Sequence, residues 1–294
     1  MKQKEKVLTR EIVYELEWDV LEVITSDMLE GYTIIGSDAF IDCSSLTTIT
    51  IPNSVTSIES FAFDHCDSLI SVTIPNSVIS IENGAFRGCY SLTSITIPKS
   101  ITSIENCVFW ECSSLTSINI PDSVTSIGGN AFADCSSLTS IIIPNSVMGI
   151  GYGAFDNCAS LTHITIPNNA AYISASAFSN CKKLKSVTIE DKMYKTQKVV
   201  NGKCKAYKAF NIDMTCRGFQ YEEGKTYEIK GKPKFHKYGF HACLSLADVF
   251  DYYCGKIGKD FVIYEVELEN VSDERHEDDS TVVAKKITIG KRIL

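Results

Sequence analysis

Arg217, His241 and the Glu265-x-Glu267 pair are the residues of this 294-residue chain whose types suit a catalytic site, and all four fall in its last third. An arginine or histidine can hold an anionic ligand, and a carboxylate can orient or deprotonate a nucleophile. Two glutamates at i and i+2 also lie on one side of a strand, so the pair is equally what an edge strand with a charged outer face shows. A second constellation is His236, His241, Cys243 and Cys254, with gaps of four, one and ten residues. Zinc sites use closely paired ligands such as C-x-x-C, so no metal is expected and the thiols read as packed side chains. Arg275, His276, Asp278 and Asp279 form a charged run that suits either a surface loop or an anion-coupled site, and Tyr221 stands in the aromatic stretch after Arg217. There is no phosphate-cradling glycine loop and no G-x-S-x-G elbow, and no cofactor is expected.

Residues suited to recognition rather than catalysis stand earlier: His65, Arg87, Tyr90, Trp110 and Glu111, with Asp64 and Asp67 beside them. An exposed Trp and Tyr among charges is the composition of a protein-binding hot spot. Their relation depends on a repeat. Cysteine recurs every 23 residues at positions 43, 66, 89, 112, 135, 158 and 181, with phenylalanine three positions earlier and leucine three later. Six of the seven prolines keep the same step, and the unit reads A-F-x-x-C-x-S-L-T-x-I-x-I-P-x-S-V-x-x-I-x-x-x.

Within each unit L-x-x-I-x-I is a strand. In the first, Leu46, Ile49 and Ile51 point inward while Thr48 and Thr50 alternate outward. Proline ends each strand because it cannot donate to a ladder. One turn cannot bury its own apolar side, so the turns must stack, strand beside strand, into a parallel sheet. Seven turns at ~4.8 Å make a rod on the order of 35 Å long, with Phe and Cys as internal columns on the opposite wall. Stacking places the variable residues around A-F-x-x-C-x on one flank. Their variation reads either as a partner-binding patch or as drift at unconstrained positions. The outward strand positions are nearly all Ser and Thr, which reads as β-propensity with solubility or as a hydroxyl face for a carbohydrate or a flat partner.

Residues 1–32 form an N-terminal cap, in which the Tyr14, Leu16, Trp18, Val20 alternation suits a strand, with a short helix as the alternative. The solenoid runs over 33–190, a basic cap and linker over 191–206, and a small α+β domain over 207–294. In the last, YKAFNID, KTYEIKG, DFVIYEVELE and TVVAKKITI read as strands. LSLADVFDYYCG reads as a helix, with Ser245 as N-cap and Leu246, Val249, Phe250 and Tyr253 on one face.

The N-S-V-T-S-I, A-F and C-S-S-L-T-S-I-T-I-P motifs over residues 33–190 resemble the BspA-like leucine-rich repeats, also called the Treponema pallidum type. The resemblance implies a leucine-rich-repeat solenoid acting as a binding scaffold, often on bacterial or protist surfaces. Cys216 to Glu228, Gly239 to Cys243 and Arg275 to Ser280 are similar to a domain of unknown function met in phage and gut-bacterial proteins. Arg217, His241 and the Glu265-x-Glu267 pair are similar in type to ADP-ribosyltransferase residues, which use an Arg or His to hold NAD and a glutamate to orient the nucleophile. The S-T-S element of that family is absent.

Charge divides the chain. Residues 37–181 hold eleven acids against Arg87 and Lys99, while 182–208 holds nine lysines against Glu190 and Asp191. The net charge of −8 disfavours nucleic acid as a partner of the whole molecule. No stretch approaches the ~20 apolar residues of a membrane span. Glu15, Glu17 and Asp19 interrupt the place of a leader's apolar region, so a cytoplasmic location is expected, with the repeat cysteines as buried thiols. The expected function is a protein-interaction scaffold, and the alternative is a repeat-targeted effector or enzyme with its chemistry in residues 207–294.

Overall fold

The computed structural model describes residues 5–167, 170–174, 176–189, 192–195, 203–211, 215–216, 219–228, 240–243, 249, 261–271 and 281–293. The repeat builds a stack with two parallel ladders. One ladder comes from the L-x-x-I-x-I segments: Val23–Ile24, Thr48–Thr50 and Ser71–Thr73, then a Thr96↔Asn119 bridge, then Ser140–Ile142, His163–Thr165 and Ser186–Ile189. The other comes from the shorter V-x-x-I segments, where Ile34 pairs with Ser57 and Ser57 with Ser80, a step of 23 residues. Sequence reading singled out only the first ladder. Both ladders have an extra rung from the N-terminal cap, Val7–Leu8 beside Ile34–Ile35 and Val23–Ile24 beside Thr48–Ile49, which takes the stack from seven turns to about eight.

The cap itself differs from the expected strand. Arg10–Glu15 is a helix and Trp18–Val20 a single 3-10 turn. Tyr14, Leu16 and Val20 are exposed, so their alternation with acids is no core pattern; Val13 is the buried residue of the helix.

Two internal columns hold the turns together. The Phe40, Phe63, Phe86, Phe109, Phe132, Phe155 and Phe178 rings stack face to face, with centroids 5.2–5.9 Å apart and planes within 16°. Beside them each thiol from Cys66 to Cys181 donates a hydrogen bond to the carbonyl of the phenylalanine 26 residues earlier, as Cys66 Sγ does to Phe40 O at 3.1 Å. The cysteine is therefore small enough for the column and adds a second, inter-turn bond to a carbonyl that already accepts a backbone N–H within its own turn, a link alanine would not make.

At the far end Lys192–Lys195 pairs antiparallel with Ser186–Ile189. A rung running the other way cannot template another parallel turn, and stacking ends there. The C-terminal sheet begins at Lys203, inside the segment read as linker. Lys203–Asn211 pairs with Phe261–Val271, which pairs with Thr281–Arg292, which pairs with Phe240–Cys243. Tyr207↔Cys243 closes the ring, and Thr226–Glu228 adds to the Thr281–Arg292 strand. Ala206, Phe210, Val266, Leu268, Ile287 and Ile289 belong to its own core cluster, whereas Tyr207, Ala209, Cys243, Val249 and Ile263 join the cluster of the solenoid. The helix expected over LSLADVFDYYCG lies outside the described residues apart from Val249, which is helical and buried.

Candidate interaction surface on the solenoid flank

The flank that carries the variable residues turns on two left-handed backbone positions per repeat. One is occupied by Asp38, Phe61, Gly84, Cys107, Asn130, Gly153 and Ser176, the other by Asp42, His65, Gly88, Glu111, Asp134, Asn157 and Asn180, all with φ between 53° and 67°. Gly, Asn and Asp visit this region readily, while other L-residues are held there at a cost of roughly 1–2 kcal/mol. The second column is thus less free than its variety suggested, and four of its seven members are the Asp and Asn that such a backbone favours. His65 and Glu111 break the rule, as do Phe61, Cys107 and Ser176 in the first column.

All but Ser176 bracket the two glycines. A Cβ on Gly84 would lie 2.4 Å from the Phe61 ring, and one on Gly88 would lie 2.7 Å from His65 Nδ1. The third turn gives up both side chains, and the aromatic rings of the second turn lie across the space. Sequence reading missed Phe61, Gly84 and Gly88; the signal was the Asp, Asn and Gly bias of their columns.

The five residues proposed from sequence are brought together. The His65 ring lies 5.9 Å from that of Tyr90, tilted by 56°, and the Tyr90 hydroxyl donates to Glu111 Oε2 at 3.4 Å. The Arg87 guanidinium carbon stands 4.8 Å from the centre of the Trp110 ring. Trp110 is half-buried rather than exposed, because that guanidinium covers it and its indole N–H donates to Asp134 Oδ2 at 3.0 Å. Behind them Asp64 is buried at 6% exposure, with Oδ1 3.8 Å from Arg87 Nε and 3.9 Å from His65 Nε2. Both Asp64 Oδ1 and Arg87 Nε are buried without a hydrogen bond. Burial pushes the Asp64 carboxyl above the usual range, and Arg87 and His65 oppose that shift. His65 Nδ1 also stands 3.8 Å from Asp67.

The Ser and Thr face is different in kind. The hydroxyls of Thr47, Thr56, Thr116, Thr125 and Thr162 donate to the carbonyls of Glu22, Thr33, Thr93, Thr102 and Thr139 in the turn before. Each of those carbonyls already accepts the same threonine's backbone N–H. These five hydroxyls reinforce the ladders.

In the C-terminal region Arg217, His276, Asp278 and Asp279 lie outside the described residues. Tyr221 is buried against Phe210 and Tyr227, and burial pushes its phenol up to about 12, which suits a packing role. Glu265, Glu267, Lys205 and Thr288 line a cavity of about 230 Å³. It sits at an irregularity in pairing between Tyr264 and Val266, where a Cβ on Gly290 would meet Glu265 O at 2.8 Å. His241 belongs to the strand Phe240–Cys243. Its backbone partner is Val283 and that of Glu267 is Thr288, five residues further along the same strand, or about 17 Å. The histidine and the E-x-E pair are therefore not brought together.

Stacked 23-residue turns with a parallel ladder on the L-x-x-I-x-I side define a leucine-rich-repeat β-solenoid. The chain belongs to the BspA type leucine rich repeat family, whose model matches residues 22–138 and 103–222 in six copies. Residues 204–294 match a domain of unknown function, DUF7666. No curated protein matches the chain. Among solved structures it is similar to a leucine-rich repeat protein of T. pallidum, at 29% identity and a TM-score of 0.49, covering 55% of this chain and 78% of that one. It is also similar to a leucine-rich repeat protein from Bacteroides ovatus, at 30% identity and a TM-score of 0.44, covering 57% of this chain and 55% of that one. A leucine rich cell surface protein from Faecalibacterium prausnitzii has 28% identity and a TM-score of 0.37, with 56% and 59% covered.

Proposed function

We propose that the protein is a protein-binding scaffold whose contact surface is the flank of the second to fourth turns, built from His65, Arg87, Tyr90, Trp110 and Glu111. The observation that carries this reading is that four of the six left-handed residues other than Gly, Asn and Asp among the described residues fall in the second and fourth turns, Glu17 and Ser176 being the others. His65 and Glu111 occupy left-handed positions that other turns give to Asp, Asn or Gly, at roughly 1 kcal/mol or more each. Strain held where the surroundings over-determine it is a pointer to function rather than to drift. An Arg stacked on Trp beside Tyr supplies pre-ordered side chains of the kinds that dominate interfaces. The same reading places the chain in a reducing compartment, where its stacked thiols stay unoxidised.

The test uses residues that other turns already tolerate at these positions. His65→Asn, Trp110→Ala and Glu111→Asp together restore the pattern of turns five and six. Proteins of the native host that cross-link to the full chain should be lost from this triple variant while its circular dichroism stays unchanged. Retention of the same cross-linked proteins by a folded triple variant refutes the assignment.

A further inference from the structure

We infer that this flank takes a cationic segment of its partner, with Lys or Arg side chains held over Tyr90 between Asp67 and Glu111. The inference rests on the scaffold reading above and specifies its partner's chemistry. Residues 37–181 carry eleven acids and two bases, so the rod presents a negative field. Of the two bases, Lys99 follows Pro98 at a strand-ending corner, away from the flank. Arg87, about one-third exposed, is engaged within the molecule, between the Trp110 ring and the Asp64 carboxylate, with its Nε buried and unbonded. Beside the partly exposed Arg87 and His65, the most exposed charged group at the rim is Asp67, half exposed, and Glu111 accepts from the Tyr90 hydroxyl at 3.4 Å.

Tyr90 stands among these groups with its ring partly exposed. Burial first, then the carboxylates of Glu111 and Asp67, push its phenol above the usual range, in keeping with a negative site. A tyrosine face flanked by carboxylates is a site for an ammonium or guanidinium group, through the ring quadrupole and charge pairing together. The molecule already uses that arrangement once, in Arg87 over Trp110 beside Asp64. An acidic segment would instead bring like charges against Asp67 and Glu111. Asp67 and Glu111 stand two turns apart, about 10 Å along the rod. An extended chain spans that distance in about three residues, so cations at every third position match it.

The probe is a fluorescein-labelled twelve-residue peptide with Lys at every third position and Ser between, beside its Glu counterpart, titrated against the full chain and followed by anisotropy. The Lys peptide should bind, weaken several-fold between low and physiological salt, and weaken about tenfold in the Asp67→Asn, Glu111→Gln variant, with the Glu peptide silent. Both substitutions are near-isosteric and at the surface, and circular dichroism checks the fold. Binding of the Glu peptide at equal or greater strength, no binding of the Lys peptide, or an affinity indifferent to the double variant would each overturn the inference. Loss of host cross-links in the His65, Trp110, Glu111 triple variant alongside an ignored Lys peptide would leave the scaffold reading standing and remove only the cationic partner.

Discussion

Phe109 sits mid-stack, 5.9 Å from the Phe86 ring and 5.4 Å from that of Phe132, with planes at 6° and 16°, and is 1% exposed. Phe109→Leu keeps an apolar side chain but removes both ring contacts. Each aromatic pair contributes about 0.5–1.5 kcal/mol beyond area burial, so the two together give about 1–3. The smaller side chain leaves space in the column worth about a further 1 kcal/mol. The expected loss is therefore about 2–4 kcal/mol. Phe40, in the first full turn, stacks on Phe63 at 5.2 Å and 4°, so Phe40→Leu removes one such contact and should cost about 1 kcal/mol less. Nearest-neighbour coupling along a solenoid makes this difference the quantity to measure, since local burial is shared by both positions. Urea unfolding of the two variants, with unchanged slope against denaturant, reads it directly. Equal losses, or a larger loss at Phe40, would show that ring stacking does not couple the turns.

Two other consequences concern the thiol column and the flank. Burial pushes the column cysteines above the ordinary thiol range, Cys43 to about 12, with a hydrogen bond to Cys181 the leading cause at Cys158. The unfolded chain then releases its thiol protons first, so their contribution is complete below about pH 8.5 and is lost as pH rises through the folded values. Urea midpoints should fall steeply above about pH 9, and less steeply for Cys112→Ala; a flat profile over that range argues against a closed column. Gly88→Ala places a Cβ 2.7 Å from His65 Nδ1 at φ +67°. It should cost about 1 kcal/mol in urea and shift the His65 ring resonances by displacing the ring from Tyr90. A variant as stable as the parent with unmoved resonances contradicts the described packing.

Much of the rod is legible because a period of 23 residues repeats its own evidence. One glance at Phe, Cys, Leu and Pro columns gives turn length, inward residues and a ladder, and the pairing of Thr48 with Ser71 has the implied register. The second ladder was harder to see, since Ser57–Ile58 and its counterparts are two residues long and show no alternation. The N-terminal cap misled for a physical reason: Tyr14, Leu16 and Val20 alternate with acids as a strand would, but without a neighbouring turn to bury them they stay exposed on and after a helix. The flank was found by its variety, while its cause, the left-handed backbone, lay in columns where no single residue is diagnostic. The C-terminal candidates could not be ranked from sequence, because E-x-E fits any strand; only the strand pairing separates Glu267 from His241.

The side chains of the flank are ordered by neighbouring turns jointly rather than one by one. Asp64 of the second turn is beside Arg87 of the third, Arg87 lies on Trp110 of the fourth, and Trp110 donates to Asp134 of the fifth, which accepts from Asn157 of the sixth at 2.6 Å. Each side chain is ordered by the turn that follows it. On the strand face the Thr116 and Thr162 hydroxyls instead donate to the ladder of the preceding turn. A repeat of this kind can therefore vary its flank without disturbing its core. The ladders and the Phe and Cys columns fix where each turn lies, and the two left-handed positions hold out a short loop whose side chains are read in sequence along the rod. The cost is the backbone strain at His65 and Glu111, small beside the stacked core that bears it.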